Sequence, residues 1–386
     1  MVVVMVVDAW DQPFNGTVVS SRRFAEAMVA MGITVRVLAL EGQAHPVAGV
    51  ELYEFPKLSI PGVNRVMETM RVQLARPERL RIREALQGAS LLHVQFPLFL
   101  GGMAITEARR MQLPVVASFH VQAENILRNL KLPTPVLSTG VYALMRHFIF
   151  RHADVMLAPS AFARTLVRDA GINGRVEVLS NGVPADQLAA FLERRQLPER
   201  VNVLCVGRHA PEKRYDLIIK ALALVTDKHR FTVTFAGMGP ARGALEKLSA
   251  RLGVAASFVS PSDEELKELY ARADLFLHAG ESELEGMSVM QAMAAGVPVI
   301  VSDSQASAAG ELTAIAESRF SFPDAGALAR RIDELTQNPD LVNRISRENH
   351  EAMRRLDHRQ SVNALLDVYA GLHAGIVLPD GLNEAA

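Results

Sequence analysis

Short apolar runs alternate with helical patterns along the whole chain, which predicts an α/β fold built from two doubly wound parallel sheets. The alternation starts at Val2–Val7 and begins again at Val201–Val206, after a polar segment with two prolines, Val183–Arg200. A length of 386 residues also suits two such domains. We therefore expect an N-terminal domain at residues 1–182, a linker at 183–200, a second domain at 201–360, and a C-terminal helix and tail at 361–386.

Each predicted strand is a short run of apolar, often β-branched residues, and helical patterns lie between the strands. A helix near Val18–Met31 follows the first strand, another starts near Asp216, and Pro323–Leu372 is helical in pattern. The remaining predicted strands of the first half are Thr34–Leu40, Leu91–Val94, Pro114–Phe119 and Val155–Ala158. Those of the second half are Val201–Val206, Thr232–Ala236, Ala256–Val259, Leu275–His278 and Val297–Val301.

The composition is that of an ordinary globular protein, with 49% hydrophobic and 22% charged residues. A single cysteine, Cys205, excludes an internal disulfide and a cysteine-based zinc cluster, and it fits a reducing, cytoplasmic location. The opening MVVVMVV is too short for a signal peptide and leads into Asp8, so it is expected to be a first strand. No run approaches the roughly 18–20 apolar residues that span a bilayer.

Charge divides unevenly between the two halves. Residues 1–180 hold 19 Lys/Arg and 14 Asp/Glu, whereas residues 181–386 hold 22 and 28. The basic excess is too small to indicate nucleic-acid binding, and no basic module interleaved with aromatic residues accompanies it. The two halves are therefore expected to meet different partners, neither of them a nucleic acid.

The most informative stretch is Gly280–Asp303, GESELEGMSVMQAMAAGVPVIVSD. Its carboxylates can accept hydrogen bonds from hydroxyl groups. The helix that starts behind Gly286 offers free N–H groups and a positive dipole end, which suit a phosphate. Phosphate and hydroxyl recognition at one place indicate a nucleotide sugar, although an ordinary acidic helix start has the same appearance.

A second candidate site is Val203–Lys213, VLCVGRHAPEK, in which basic residues follow a short strand. The carboxyl ends of strands in open α/β sheets face the crevice where ligands bind. Arg208 and Lys213 are therefore placed to neutralise a diphosphate without a metal. The alternative is that both are solvated surface cations.

Together these segments resemble the retaining glycosyltransferases of family 4, which have the GT-B fold. The matching pieces include VGRHAPEKRYDLIIKAL, FAGMGP and YARADLFLHAGESELEGMSVMQAMAAGVPVIVSD, with NGTVVSSRRFAEAM, SFH, APSAFAR and LSNGV in the first half. The resemblance spans nearly the whole chain. It implies two Rossmann-like domains with a cleft between them, and a final helix that crosses back onto the N-terminal domain.

The resemblance also implies roles for individual residues and a reaction that needs no metal or other cofactor. His120 would contact the donor sugar without acting as a general base, because the leaving phosphate takes the acceptor's proton. The implied catalytic residues are His120, Arg208, Lys213 and Glu283. The implied donor-binding residues are Gly16, Thr17, Asn181, Gly237, Glu285, Gly286, Met287 and Gln291.

One position departs from the family pattern. Such enzymes usually have a second glutamate eight positions after the first, and here that position is Gln291. An amide oxygen accepts hydrogen bonds but cannot bind two hydroxyls as a carboxylate does.

Structural explanations also exist for three glycines: Gly16 as a turn residue, Gly182 as a left-handed turn after Asn181, and Gly237 as part of a strand-to-helix turn.

A basic amphipathic stretch, Lys57–Arg83, is a candidate for docking on anionic lipid head groups. A solvated helix face is the alternative. A second stretch, Ile126–Phe150, is apolar with a few cations, so it either lines a hydrophobic acceptor cleft or covers the sheet. The residues expected at the membrane or acceptor are Arg71, Arg76, Arg79, Arg81 and Arg83.

The sequence thus predicts a metal-independent retaining glycosyltransferase that moves a hexose from a nucleotide sugar, UDP-hexose by expectation, to a membrane lipid such as diacylglycerol. The lipid assignment depends on the basic N-terminal half and on two segments, Ser282–Met293 and Ser302–Leu312, that look like the corresponding part of bacterial diacylglycerol glucosyltransferases. The protein would lie in the cytoplasm, peripherally on the inner face of the membrane. The alternatives are a soluble sugar or polysaccharide-precursor acceptor, and a catalytically silent subunit that binds nucleotide sugars. A nicotinamide oxidoreductase is disfavoured, since the loop after the first strand has one glycine where the dinucleotide fingerprint needs three.

Overall fold

The computed structural model describes residues 1–11, 15–42, 46–59, 74–129, 132, 134–189, 191 and 196–372. These residues form two compact units. Unit 1 comprises Met1–Asn181 together with the chain from Arg359 onward, and unit 2 comprises Gly182–His358. Each unit is built around one parallel sheet, as the alternation of strands and helices predicts.

Unit 1 contains a seven-stranded sheet with the order β3-β2-β1-β4-β5-β6-β7, and every strand pair in it is parallel. The order reverses between β1 and β4, so the carboxyl ends of these two strands flank the crevice where such sheets bind ligands. The strands are β1 (Val2–Val6), β2 (Thr34–Leu40), β3 (Val50–Phe55), β4 (Leu91–Val94), β5 (Val115–Ser118), β6 (Val155–Ala158) and β7 (Arg175–Val178).

The helices of unit 1 connect these strands and cover the sheet. They are α1 (Gly16–Ala30), α2 (Arg79–Leu86), α3 (Phe99–Arg110), α4 (Ala123–Asn129), α5 (Thr134–Phe148) and α6 (Ala161–Asp169). The last helix of the chain, α14 (His358–Ala370), packs Val362, Leu365, Leu366 and Tyr369 into the core of the same unit. Almost every residue of the central strands is fully buried, which explains their continuous apolar runs.

Unit 2 repeats the design with a six-stranded parallel sheet, ordered β10-β9-β8-β11-β12-β13. Here the order reverses between β8 and β11. The strands are β8 (Val201–Val206), β9 (Phe231–Ala236), β10 (Ala255–Val259), β11 (Leu275–His278), β12 (Val299–Ser302) and β13 (Arg319–Phe320). The helices are α7 (Ala185–Ala189), α8 (Tyr215–Leu222), α9 (Arg242–Leu252), α10 (Asp263–Arg272), α11 (Met287–Ala294), α12 (Ala325–Gln337) and α13 (Pro339–Arg354).

The sequence pattern locates the central strands well and misses three strands at sheet edges, β3, β7 and β13. Edge strands bury one face or less, so β3 reads VELYEF and β7 reads RVEV, without a continuous apolar run. The third, β13, has two residues and offers no periodicity. The predicted helix after Gly286 is present as α11, and Gly296 follows it with a φ of 73°.

Within the described part of the chain, no helix is both long enough and apolar enough to cross a membrane.

The buried Cys205 lies in β8, where burial raises the pKa of its thiol. A thiol in this environment is a packing residue rather than a nucleophile.

Candidate functional site

The site in unit 2 is built at the carboxyl ends of β8 and β11, where the strand order reverses. A short 3-10 turn, Pro211–Lys213, follows β8, and the loop of residues 279–286 follows β11. A backbone hydrogen bond of 2.8 Å from Glu281 to the carbonyl of Glu212 joins the two segments. The two stretches that the sequence singles out therefore meet at the predicted edge of the sheet.

The central contact of this site is an ion pair. Lys213 Nζ lies 2.5 Å from Glu283 Oε2, and both side chains are mostly buried. His278 Nε2 lies 3.5 Å from the same oxygen. Burial alone would raise the pKa of Glu283, but the Lys213 charge and the contact with His278 outweigh it and hold that pKa at about 2. Glu283 is therefore a carboxylate at any physiological pH.

The backbone of Glu283 is fixed as well as its side chain. Glu283 donates to Ala306 O at 3.3 Å and accepts from Ala308 N at 2.8 Å, in an isolated parallel bridge with Ser307. Lys213 and His278 both lie near Oε2, and no described residue forms a hydrogen bond with Oε1, so Oε1 can accept one from a ligand. The side chain is thus held in place before any ligand binds, which is what sugar-hydroxyl recognition needs.

Arg208 forms a second pair, with its Nη2 2.5 Å from Glu212 Oε1. Glu212 is buried, whereas more than a third of the Arg208 side chain is exposed. Arg208 and Lys213 each hold a carboxylate in this structure. Both cations lie at the carboxyl end of β8, and their role toward a diphosphate stays a prediction. A diphosphate at this place would have to compete with Glu212 and Glu283.

Several buried polar groups around this ion pair have no hydrogen-bond partner among the described residues. They are the hydroxyl of Tyr215, both ring nitrogens of His278, Ser282 Oγ and Glu212 Oε2. Burial raises the pKa of Tyr215 well above its usual value, and the nearby charges of Glu283 and Glu212 add smaller increases. Buried polar groups are nearly always satisfied in folded proteins, so such a concentration is typical of a ligand site.

Two glycines let the loops after β8 and β9 approach each other closely. A Cβ on Gly237 would lie 2.2 Å from the carbonyl oxygen of Gly207, and the φ of Gly237 is 139°. A Cβ on Gly239 would lie 2.3 Å from the carbonyl oxygen of His209. The backbone contact thus provides a packing reason for Gly237 beside its predicted donor-binding role.

Helix α11 begins at Met287 behind Gly286, which has a φ of 93°. The N-cap residue, Gly286, has no side chain that could cap this helix, and Glu285, just before it, is buried. The predicted contact between this helix start and a phosphate stays a prediction.

Gln291, one turn into α11, is engaged by a neighbour. Its Oε1 accepts a hydrogen bond of 3.1 Å from the hydroxyl of Tyr270, which also lies 3.2 Å from Ser288 O. The amide oxygen for which the resemblance predicts a ribose contact thus already accepts a hydrogen bond from Tyr270.

In unit 1, the start of α1 follows the loop after β1. The side chain of Asn15 accepts a hydrogen bond of 3.1 Å from Thr17 N, so this helix carries its own cap. Gly16 is exposed at the first helical position. Asn181, the last residue of unit 1 before the chain enters unit 2, is buried.

His120 follows β5 and joins a chain of buried hydrogen bonds. Its Nε2 lies 3.1 Å from Gln95 Oε1, and Gln95 packs on the ring of His93. His93 in turn contacts Tyr369 Oη at 2.6 Å and Ser118 Oγ at 2.8 Å. Burial lowers the pKa of His120 to about 4, and that of His93 to about 3. Such a ring is a weak base. The predicted contact of His120 with the donor sugar, without general-base action, stays a prediction.

The basic residues predicted at the membrane are partly committed to other contacts. Arg79 Nε and Arg83 Nε lie 2.9 and 2.6 Å from the carboxylate of Glu107, which is fully buried. Arg76 pairs with Glu78 at 2.9 Å, and Arg81 lies over the ring of Phe55. Arg71 lies outside the described residues. The membrane role of these arginines stays a prediction.

Sequence reasoning missed three side chains of the unit 2 site: Tyr215, Tyr270 and His278. Tyr215 and His278 sit among apolar residues and read as packing. Only the position of His278 at the carboxyl end of a predicted strand signals a site residue. The hydrogen bond between Tyr270 and Gln291 joins two helices, and no local sequence pattern indicates it.

Two family models match the chain and together cover most of it. The model described as Glycosyltransferase Family 4 matches residues 14–187, and the one described as Glycosyl transferases group 1 matches residues 190–352. The crystal structure of Anabaena Alr3699/HepE in complex with UDP and glucose is similar in fold, with a TM-score of 0.74 at 16% identity. That match covers 96% of this chain and 100% of the other.

Two relatives are similar in sequence over more limited stretches. A GDP-mannose-dependent alpha-mannosyltransferase from Mycobacterium tuberculosis (strain CDC 1551 / Oshkosh) is 29% identical over 263 residues, 66% of this chain and 65% of that protein. The alpha-monoglucosyldiacylglycerol synthase of Streptococcus pneumoniae (strain ATCC BAA-255 / R6) is 25% identical over 230 residues, 54% of this chain and 51% of that protein. The chain thus spans less than two thirds of the length of either relative.

The matched models, the two parallel-sheet units of GT-B type and the relatives named as sugar transferases agree with one another. The chain belongs to glycosyltransferase family 4 and has the GT-B fold.

Proposed function

We propose that this enzyme transfers a hexose, with retention of the anomeric configuration, from a nucleoside diphosphate sugar to a lipid acceptor of the diacylglycerol type. UDP-hexose is the donor that we expect. The observation that carries the donor assignment is the constellation of Lys213, Glu283 and Arg208 at the carboxyl ends of β8 and β11. It combines cations for a diphosphate with a fixed carboxylate for sugar hydroxyls.

The chemistry asked of these residues is charge stabilisation. The bond from the sugar C1 to the β-phosphate oxygen breaks, and the acceptor hydroxyl oxygen forms a new bond to C1 on the same face. The departing phosphate oxygen takes the acceptor's proton, so no protein base is needed. Arg208 and Lys213 would stabilise the charge on the diphosphate, and Glu283 would hold the sugar through its free carboxylate oxygen. In this scheme the two cations supply the charge that a metal supplies in other transferases.

The lipid acceptor is supported by an apolar face on α5. Leu137, Leu144 and Phe148 have 41, 60 and 57% of their surface exposed. They are spaced seven and four residues apart, so they lie along one side of the helix. On the other side, Tyr142 is buried and its hydroxyl donates to Glu124 Oε2 at 2.6 Å. We call Leu137, Leu144 and Phe148 the α5 stripe.

Charge around the α5 stripe favours a lipid surface as its occupant. Arg146, His147 and Arg151 are exposed near the end of α5, and residues 1–180 carry an excess of five basic side chains. An amphipathic helix with apolar and basic residues on its surface is typical of proteins that lie on anionic membranes. The name of the pneumococcal relative, alpha-monoglucosyldiacylglycerol synthase, points to the same acceptor class, while that of the mycobacterial relative points to GDP-mannose as a donor.

The assignment is tested by offering the purified protein UDP-glucose, UDP-galactose and GDP-mannose, with and without vesicles that contain diacylglycerol. We expect labelled sugar to enter the lipid fraction and nucleoside diphosphate to be released in equal amount. Transfer only to soluble sugars would overturn the lipid acceptor. Binding of a nucleotide sugar without any turnover would instead identify a silent binding subunit.

A further inference from the structure

His278 is a buried histidine beside the candidate site that the proposed chemistry does not use. It is 3% exposed at the carboxyl end of β11. Among the described residues, neither of its ring nitrogens has a hydrogen-bond partner. Its Nε2 lies 3.5 Å from Glu283 Oε2, at the outer limit of hydrogen-bond distance, while Lys213 donates to the same oxygen at 2.5 Å. The short contact with this oxygen thus belongs to Lys213 in this structure, and the His278 ring lies beside it.

The imidazole of His278 fits against the loop after β11 because residue 280 is a glycine and has no side chain. A Cβ on Gly280 would lie 2.5 Å from His278 Cε1. The φ of Gly280 lies outside the left-handed region, so the backbone does not itself require glycine here. The carbonyl of Gly280 is also held, by a hydrogen bond of 2.6 Å from Ser302 Oγ. The ring is therefore confined on this side.

Resting on the donor site proposed above, we propose that His278 is a positioning residue that replaces Lys213 as the donor to Glu283 when Lys213 turns to the diphosphate. A diphosphate attracts Lys213 more strongly than a single carboxylate does. Oε2 of the ionised, mostly buried Glu283 would then have no donor, which is costly. A small rotation of the ring brings Nε2–H within hydrogen-bond distance and removes that cost.

The protonation state of His278 suits this exchange. Burial, assisted by the Lys213 charge, lowers its pKa, and the opposing effect of Glu283 is smaller. The ring is therefore neutral at neutral pH and carries one proton. The tautomer with that proton on Nε2 donates to Glu283 without adding a second cation beside Lys213. Lys213 can then move to the diphosphate, because His278 takes its place as the hydrogen-bond donor to Glu283.

The exchange is tested by a double-mutant cycle on UDP binding, measured by titration calorimetry. His278→Leu should weaken UDP binding about tenfold, since Lys213 can then leave Glu283 only at the cost of an unpaired carboxylate. His278→Gln, whose amide also donates, should restore most of the affinity. In a Glu283→Gln background, where Lys213 is not held, His278→Leu should have no effect. Equal losses in both backgrounds would show that His278 is merely structural and would overturn the exchange.

Two further variants separate this result from misfolding and from failure of the proposed function. Gly280→Ala keeps the imidazole but crowds it, so it should weaken UDP binding as His278→Leu does. His350→Gln is the matched control, because His350 contacts Ala294 O at 2.7 Å, at the far end of α11 from Glu283. Full UDP affinity in His278→Leu would overturn the exchange alone. A wild-type protein that binds neither UDP nor GDP would overturn the proposed donor site and the exchange with it.

Discussion

The hydroxyl of Tyr270 donates a hydrogen bond of 3.1 Å to Oε1 of Gln291, across the space between α10 and α11. This contact places a protein donor on the atom to which the family resemblance assigns a ribose hydroxyl. A glutamate at this position has two oxygens, so it can accept from Tyr270 and from the ligand together. The difference between Gln291 and the usual glutamate of the family is therefore a difference in how many acceptors remain for the ligand.

Gln291→Glu should consequently tighten binding of the nucleoside diphosphate, by up to about tenfold, the range for one added hydrogen bond to a charged group. Titration calorimetry with UDP and GDP checks this. Tyr270→Phe is the partner variant: it frees the Gln291 oxygen and should tighten binding to a smaller extent. Weaker binding in Gln291→Glu would mean that residue 291 does not face the ligand.

Arg208→Ala should lower kcat by roughly 10²–10³-fold, the scale for losing one electrostatic donor to a developing charge. Steady-state kinetics with the preferred donor measures it, and thermal unfolding separates catalysis from the loss of a partner for buried Glu212. Arg242→Ala is a matched control, because Arg242 forms an exposed pair with Glu246 at the same spacing of four residues. EDTA should leave the wild-type rate unchanged. Strict dependence on Mg²⁺ or Mn²⁺ would contradict the assignment of charge stabilisation to Arg208 and Lys213.

Glu283→Ala should remove most transfer activity and the discrimination between donor sugars, because the carboxylate is the proposed acceptor for sugar hydroxyls. The measurement is kcat/KM for UDP-glucose, UDP-galactose and GDP-mannose. Glu246→Ala, an exposed glutamate in the same unit, provides the comparison. Undiminished transfer with Glu283→Ala would place the sugar elsewhere in the protein.

Replacing all three residues of the α5 stripe by Ser should abolish sedimentation with anionic vesicles, since each apolar side chain buried in the membrane contributes about 1.5–3 kcal/mol. Replacing Arg76 and Arg81 by Ser should weaken it less, by about 1 kcal/mol per residue, and high salt should have a similar effect. Arg79 and Arg83 are left in place, because they neutralise buried Glu107. Donor hydrolysis should persist in both variants. Unchanged vesicle binding by the stripe variant would point to a soluble acceptor.

Asp8, at the end of β1, should make unit 1 sensitive to pH. Burial raises its pKa to about 7, although Ala75 N donates to Oδ1, and Oδ2 has no partner among the described residues. A folded pKa above the unfolded value of about 3.9 favours folding at low pH, and this contribution is lost as pH rises to 7. Asp8→Asn should therefore gain stability over the wild type by about 1.4 kcal/mol per pH unit between pH 4 and 7.

Chemical denaturation at pH 5 and pH 8 checks the Asp8 prediction. The acidic shifts of His93 and His120 are common to both proteins and cancel in the comparison. Asp169→Asn, at an exposed aspartate of the same unit, serves as the control. A constant difference between Asp8→Asn and the wild type at the two pH values would show that Asp8 does not titrate in this range.

The sequence predicts the features that depend on local pattern. Buried central strands are recognisable in the sequence as apolar runs. Arg208, Lys213 and Glu283 follow such strands, so it was predictable that they lie at the same edge of the sheet. Side-chain pairing across elements was not. The contacts of Lys213 with Glu283, Tyr270 with Gln291, and Arg79 and Arg83 with Glu107 join residues 70, 21, 28 and 24 positions apart. Such partners depend on packing geometry that no local window contains.

The central claim, retaining transfer from a nucleoside diphosphate sugar to a lipid, is tested most directly by the anomeric configuration of the product. The enzyme is incubated with UDP-glucose and diacylglycerol vesicles, and the glycolipid is isolated and examined by proton NMR. We predict an α-linked hexose, the configuration of the donor, formed in step with UDP release. A β-linked product would contradict the retaining mechanism, and UDP release without any glycolipid would contradict the lipid acceptor.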